Sequence, residues 1–145
     1  MLSFRYKIPG FVLIFIGLIL TILYFSIEFR FELPVFAVAS SYVETRFFTT
    51  FSTNFADELI LLTLLTGFSL VVFSKEKNEL DFYNSLRIRA IVKTSVANVL
   101  FLIFSVMFVY GSGFMIILIL NIFLPFILYL AIFNFMKFRE MKKGK

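Results

Sequence analysis

The sequence predicts an all-α, polytopic membrane protein with four transmembrane helices. Three observations predict it: an apolar excess, four long apolar runs, and a lopsided distribution of Lys and Arg. Of 145 residues, 61% are hydrophobic and 16% charged, and the mean hydropathy is +0.98. Ordinary globular chains are about 45–50% apolar even with glycine counted, so one water-facing core has no room for the surplus. The chain reads as a single four-helix domain over residues 1–145.

A bilayer core of about 30 Å needs roughly 20 apolar residues at ~1.5 Å rise each. Runs near that length fall at residues 8–27, 55–74, 90–110 and 114–135. The first is followed by Glu28-Phe29-Arg30 with no small-residue cleavage site, so it reads as a retained span and not as a signal peptide. In the second, Asp57 and Glu58 belong at the interface, with Asn54 opening the helix ahead of them.

Four spans bring both termini to one side. Twelve of the 14 Lys and Arg fall on that side, in the N-terminal tail, the connection at 75–89 with the entry to span three, and the C-terminal tail. Only Arg30 and Arg46 fall in the first connection, residues 28–54, which also holds several acids. Because Lys and Arg concentrate on the cytoplasmic side of membrane proteins, both termini are predicted to be cytoplasmic. The expected location is the cell inner (plasma) membrane, with anionic headgroups as the first partner of the basic blocks. The net charge of +5 and pI of 9.6 are therefore not a nucleic-acid signature.

The chain has no Cys and no His. That removes disulfides, thiolate nucleophiles and iron–sulfur clusters, together with the commonest metal ligand and proton shuttle. No cofactor or metal site is expected. No carboxylate pair, nucleophile–base pair or phosphate-cradling glycine loop stands out either, so the chain reads as noncatalytic.

Residues 28–54 are too many for a tight turn and too rich in Phe for a solvated loop. Ser41-Tyr42-Val43-Glu44 matches a capping box, and Val43, Phe47, Phe48, Phe51 and Phe55 then share one helical face. The pattern predicts an interfacial amphipathic helix in this outer loop, running into span two.

Within the spans, Thr94, Asn98 and Ser105 fall in one arc of span three, and Thr63, Gly67 and Ser74 in one arc of span two. Gly10, Gly17, Thr21 and Tyr24 align on span one, as small residues do where membrane helices approach closely. Asn121 stands four residues before Pro125 on span four. It is offset axially from Asn98 by only about 7–8 Å, close enough to share a hydrogen bond. These polar groups, Thr63, Thr94, Asn98, Ser105 and Asn121, serve either as packing glue or as a pathway. No acid lies mid-span, which disfavours a proton-coupled pump. The small multidrug-resistance exporters have a comparable size and span count, but this first span lacks the embedded Glu that their exchange requires.

The connection at 75–89 mixes dense charge with aromatic residues. Lys75, Glu76, Lys77, Glu79, Phe82, Tyr83, Arg87 and Arg89 make it the candidate surface for docking a membrane or cytosolic protein partner. Here the chain resembles a group of small, uncharacterised four-span bacterial inner-membrane proteins, through Ser74-Lys75-Glu76-Lys77 and Glu79, then Leu86-Arg87, Tyr110-Gly111 and Asn121. The resemblance implies the same topology and a bacterial inner membrane, and carries over no catalytic residue. The sequence thus points to an accessory or regulatory membrane subunit. A small oligomeric transporter, pore or holin-like protein, built by self-association, is the alternative.

Overall fold

The computed structural model describes residues 1–27, 30–40, 46–77 and 82–143. Its elements are α1 (Lys7–Ser26), β1 (Glu32–Ser40), β2 (Arg46–Asn54), α2 (Ala56–Phe73), α3 (Phe82–Phe108) and α4 (Ser112–Lys143). A single 3-10 turn, Phe4–Tyr6, leads into α1. All four helices are long and apolar enough to cross a membrane. The protein is an all-α, multi-pass membrane protein, apart from one hairpin. Most of the large apolar side chains on its helices are exposed, as a surface meant for lipid requires.

The chain, read from sequence as one domain, divides into two compact units. One is Gly10–Gly67; the other is Met1–Pro9 with Phe68–Lys145.

In the first unit, α1 and α2 meet through glycine. A Cβ placed on Gly67 would come 2.9 Å from the Ile14 backbone nitrogen and 3.0 Å from the Gly10 carbonyl oxygen. The two backbones can approach this closely only because Gly67 has no side chain. Opposite Gly17 a Cβ would meet the Leu64 side chain at 2.6 Å. Thr21 donates to the Gly17 carbonyl and Thr63 to the Leu59 carbonyl, so both hydroxyls are satisfied on their own helices.

The connection between α1 and α2 overturns the expected amphipathic helix. Arg46–Asn54 is a β-strand, paired antiparallel with Glu32–Ser40 in a register from Glu32↔Asn54 to Ser40↔Arg46. The capping box at 41–45 lies outside the described residues. Phe and Thr dominate β2 and favour a pleated, half-covered surface. Pairing also satisfies the backbone donors and acceptors of a segment too polar in its backbone to sit bare beside lipid. Val35, Ala37, Thr49 and Phe51 share the half-buried face, while Phe36 and Phe48 are exposed on the other with ring centroids 6.5 Å apart. Phe48 adopts φ 51°, a left-handed conformation that is an outlier for so bulky a residue. At the hairpin's base the Asn54 side chain accepts from the Phe31 and Ala56 amides, at 3.1 and 3.3 Å, so it joins β1 to the start of α2. Asp57 and Glu58 follow in the first turn of α2, where the helix dipole favours acids.

In the second unit α3 and α4 are antiparallel and joined by a tight turn in which Gly111 takes φ +68°, open to glycine without strain. Both helices exceed the lengths the hydropathy pattern gave them. α3 begins eight residues before the expected start at 90, and α4 runs eight residues past the expected end at 135. The turns added to α3 contribute to the core: Tyr83 and Leu86, with Ala90, pack on Tyr129 and Phe133 of α4. Phe133 stacks on Tyr129 at 5.8 Å and meets Tyr83 edge-on at 6.3 Å. Farther along, Phe68 of α2 lies against Phe123 and Phe126 of α4. The helix continues through Pro125, which offers no amide to the Asn121 carbonyl.

Candidate functional site

The second unit gathers its charges at one end. The chain's first residues pair with the exit of α2: the Leu2 amide donates to the Phe73 carbonyl and the Lys75 amide to the Leu2 carbonyl, each at 2.9 Å. The Phe73 carbonyl is one of the acceptors that a helix C-terminus leaves without an internal partner. This short bridge supplies one. Ser74 sits buried beside it and donates to the Leu70 carbonyl at 2.5 Å.

The bridge places Glu76 between two cations. Lys7 donates to one carboxylate oxygen at 2.5 Å and Lys137 to the other at 3.1 Å. One half-buried carboxylate thereby ties the start of α1 and the far end of α4 to the exit of α2. Burial alone pushes the Glu76 carboxyl up, but the hydrogen bonds and charges of Lys7 and Lys137 outweigh it and hold the group below its ordinary value. Lys137 also lies 5.3 Å from the centre of the Tyr83 ring, a cation–π distance.

Arg87 is held from several directions. It is 4% exposed, its guanidinium lies 5.7 Å over the Phe133 ring, and Nη1 donates to the Met1 thioether sulfur at 3.1 Å.

The docking set read from the sequence therefore divides. Tyr83 and Arg87 are buried in the α3–α4 core and Glu76 is clasped by two lysines, which corrects their assignment to a contact surface. The reason is that α3 starts at Phe82, so Tyr83, Leu86, Arg87, Ala90 and Thr94 share a helical face turned toward the rest of the unit. Lys75, Lys77 and Arg89 are exposed, and Arg89 donates to Ser85, one turn back. Glu79 and the Phe82 side chain lie outside the described residues.

The intramembrane polar set divides as well. Asn121 donates to the Asn98 side-chain oxygen at 2.8 Å, and the buried Ser105 hydroxyl donates to the Phe101 carbonyl at 2.8 Å. The Thr63 hydroxyl is used on α2. Thr94 differs: it is 5% exposed and its hydroxyl has no partner among the described residues. A buried hydroxyl left this way costs about 1–3 kcal/mol.

Thr94 lines a groove of about 430 Å³ along α3 and α4. Its polar lining includes Asn84, Arg87 and Thr94, and its apolar lining includes Ile88, Ile91 and Phe126. That volume falls in the usual range for small-molecule sites, about 300–1,000 Å³. Among the described residues no three acidic side chains stand close enough to share a metal ion.

Two parts of this site were missed in the sequence. The Lys7–Glu76–Lys137 clasp joins residues 61 and 69 positions apart, and nothing in the local spacing signals it. The buried face of α3 did carry a signal, since Tyr83, Leu86, Ala90 and Thr94 recur at helical spacing upstream of the apolar run. Comparison with protein-family models, curated proteins and solved structures finds no match to the chain. The chemistry of the site rests on its own residues.

Proposed function

We propose that the protein is a noncatalytic accessory or regulatory component of a cell membrane, whose Lys- and Arg-rich end docks a protein partner. The observation that carries this reading is the Asn98–Asn121 hydrogen bond, in which the two mid-span amide side chains bond to each other. Spent in this way, they hold α3 to α4 and present nothing to a solute. The functional surface then falls to the exposed cations Lys75, Lys77 and Arg89, carried on a scaffold clasped through Glu76.

The distribution of Lys and Arg supports cytoplasmic termini and a cytoplasmic 75–89 connection. A bacterial inner membrane is the setting consistent with the resemblance carried by Ser74 to Lys77, Leu86 and Arg87. The absence of native Cys allows orientation to be read from single cysteines introduced at exposed positions and labelled from either side.

The test is photocrosslinking in intact membranes from residues 75, 77 and 89, with mass spectrometry of what is captured. A stoichiometric partner, lost in the Lys75→Glu, Lys77→Glu, Arg89→Glu triple variant while insertion persists, is the expected result. Capture of nothing but a defined oligomer of the same chain would overturn the docking reading in favour of the small transporter or pore.

A further inference from the structure

The groove along α3 points to a ligand that the docking reading does not use. Thr21, Thr63, Ser74 and Ser105 each donate to the carbonyl four residues back, the common arrangement for a hydroxyl inside an apolar helix. The Thr94 hydroxyl makes no such bond although it is almost fully buried. It lines the groove beside Pro125, whose nitrogen carries no hydrogen. An acceptor entering the groove is what this hydroxyl lacks.

The rest of the lining specifies the ligand. From Asn84 to Ser95 the groove follows α3 for eleven residues, about 16 Å at ~1.5 Å per residue. Its first half lies on the charged end at 84–89, and its second half, 90–95, on the apolar run of α3. Its start carries Asn84 and Arg87, with Arg89 exposed close by on α3. Deeper in, Ile88, Ile91 and Phe126 offer apolar surface. Polarity and charge at the interface, the apolar Ile88 and Ile91 next, and beyond them a hydroxyl without an acceptor match an amphiphile with an anionic head and oxygen atoms part-way down. We infer that this groove is a binding site for one anionic glycerophospholipid of the adjoining leaflet. The phosphate lies at the Asn84 and Arg87 end, and an ester oxygen accepts from Thr94. The glycerol part passes Ile91, and the chains leave the groove beyond Thr94 into the hydrocarbon. Arg87 supplies charge without giving up its contacts within the chain, because a guanidinium has five N–H donors.

The experiment is native mass spectrometry of the full chain released from nanodiscs containing equal phosphatidylglycerol and phosphatidylcholine. The wild type is expected to retain one phosphatidylglycerol in preference to phosphatidylcholine by about tenfold. Ile91→Trp fills the groove from an exposed position and abolishes the preference. Val92→Trp, exposed but outside the lining, preserves it. Thr94→Val, which removes the hydroxyl at nearly constant volume, weakens retention about three- to tenfold without lowering the melting temperature of the delipidated protein. Equal retention of both lipids would overturn the proposal. So would a preference that survives both Ile91→Trp and Thr94→Val, or recovery of a free fatty acid in place of the phospholipid.

Discussion

The Asn121 side-chain amide donates to the Asn98 side-chain oxygen across 2.8 Å, a direct bond between α3 and α4 within their apolar stretches. Neither partner has water to fall back on in hydrocarbon, so removing one orphans the other. Asn98→Leu and Asn121→Leu are each expected to destabilise the protein by about 1–2 kcal/mol. The double variant should lose less than the two single losses combined, with a coupling of ~0.6–1.7 kcal/mol. Reversible unfolding in bicelles measures all four corners of this cycle. Strict additivity would mean the pair does not hold the helices together.

This pair was legible in the sequence because a helix converts residue number into depth and face. Counting inward from each end of two antiparallel spans placed Asn98 and Asn121 near one level, and the structure bonds them. The same arithmetic put Gly17 and Gly67 on packing faces, where the structure finds them. It failed at the helix ends, since hydropathy marks where lipid stops and not where the helix does. Tyr83 and Arg87 were consequently read as loop although they lie in the first turns of α3.

Glu76 makes the charged end sensitive to acid. Its carboxyl is held below the ordinary value of 4.5 by Lys7 and Lys137, against the opposing effect of burial. A carboxylate with a lowered folded-state value contributes stability that is fully present above pH 4.5 and is lost as pH falls through the folded value. The loss should lie between the ~0–1 kcal/mol of an exposed pair and the ~3–5 kcal/mol of breaking a buried one. Glu76→Gln is expected to be less stable at neutral pH and to converge on the wild type as acid protonates Glu76. Melting temperatures of both proteins over that range provide the check, and a constant difference at every pH would contradict the clasp.

Arg87 and Arg89 are two residues apart and should behave oppositely. Arg87 is buried beside Met1 and Phe133, so Arg87→Ala removes a cation–π contact and a charged hydrogen bond, at about 1.5–3 kcal/mol for the latter alone. Arg89 is exposed and, among the described residues, bonded only to Ser85. Arg89→Ala should stay within about 0.5 kcal/mol of the wild type. Thermal unfolding of the two variants side by side is decisive: equal losses would mean that Arg87 is not a core residue. The contrast also governs how docking can be tested, because charge reversal at Arg87 would damage the fold before it reported on a partner.

The hairpin shows why a helical period in a short segment can mislead. Phe47, Phe48, Phe51 and Phe55 sit three to four apart, which fits one face of a helix, yet the stretch is built from Phe and Thr, residues that favour strands. What decided between them is a partner eight to twenty residues upstream, the alternating Leu33, Val35, Ala37 and Ala39, whose backbone pairs with it. Pairing of that kind is non-local, and no window centred on β2 contains it.

The approach of α1 to α2 yields a graded prediction. At Gly67 an added methyl meets backbone, the Ile14 nitrogen and the Gly10 oxygen, which can move only if the helices separate. At Gly17 it meets the Leu64 side chain, which can turn aside. Overpacking of this kind costs about 1–3 kcal/mol, and rigid neighbours place a site at the upper end. Gly67→Ala should therefore cost about 2–3 kcal/mol and Gly17→Ala about 1 kcal/mol or less, partly offset in both by the better helix propensity of alanine. Equilibrium unfolding in detergent measures both, and a Gly17 variant less stable than its Gly67 counterpart would show that the closest backbone approach lies elsewhere.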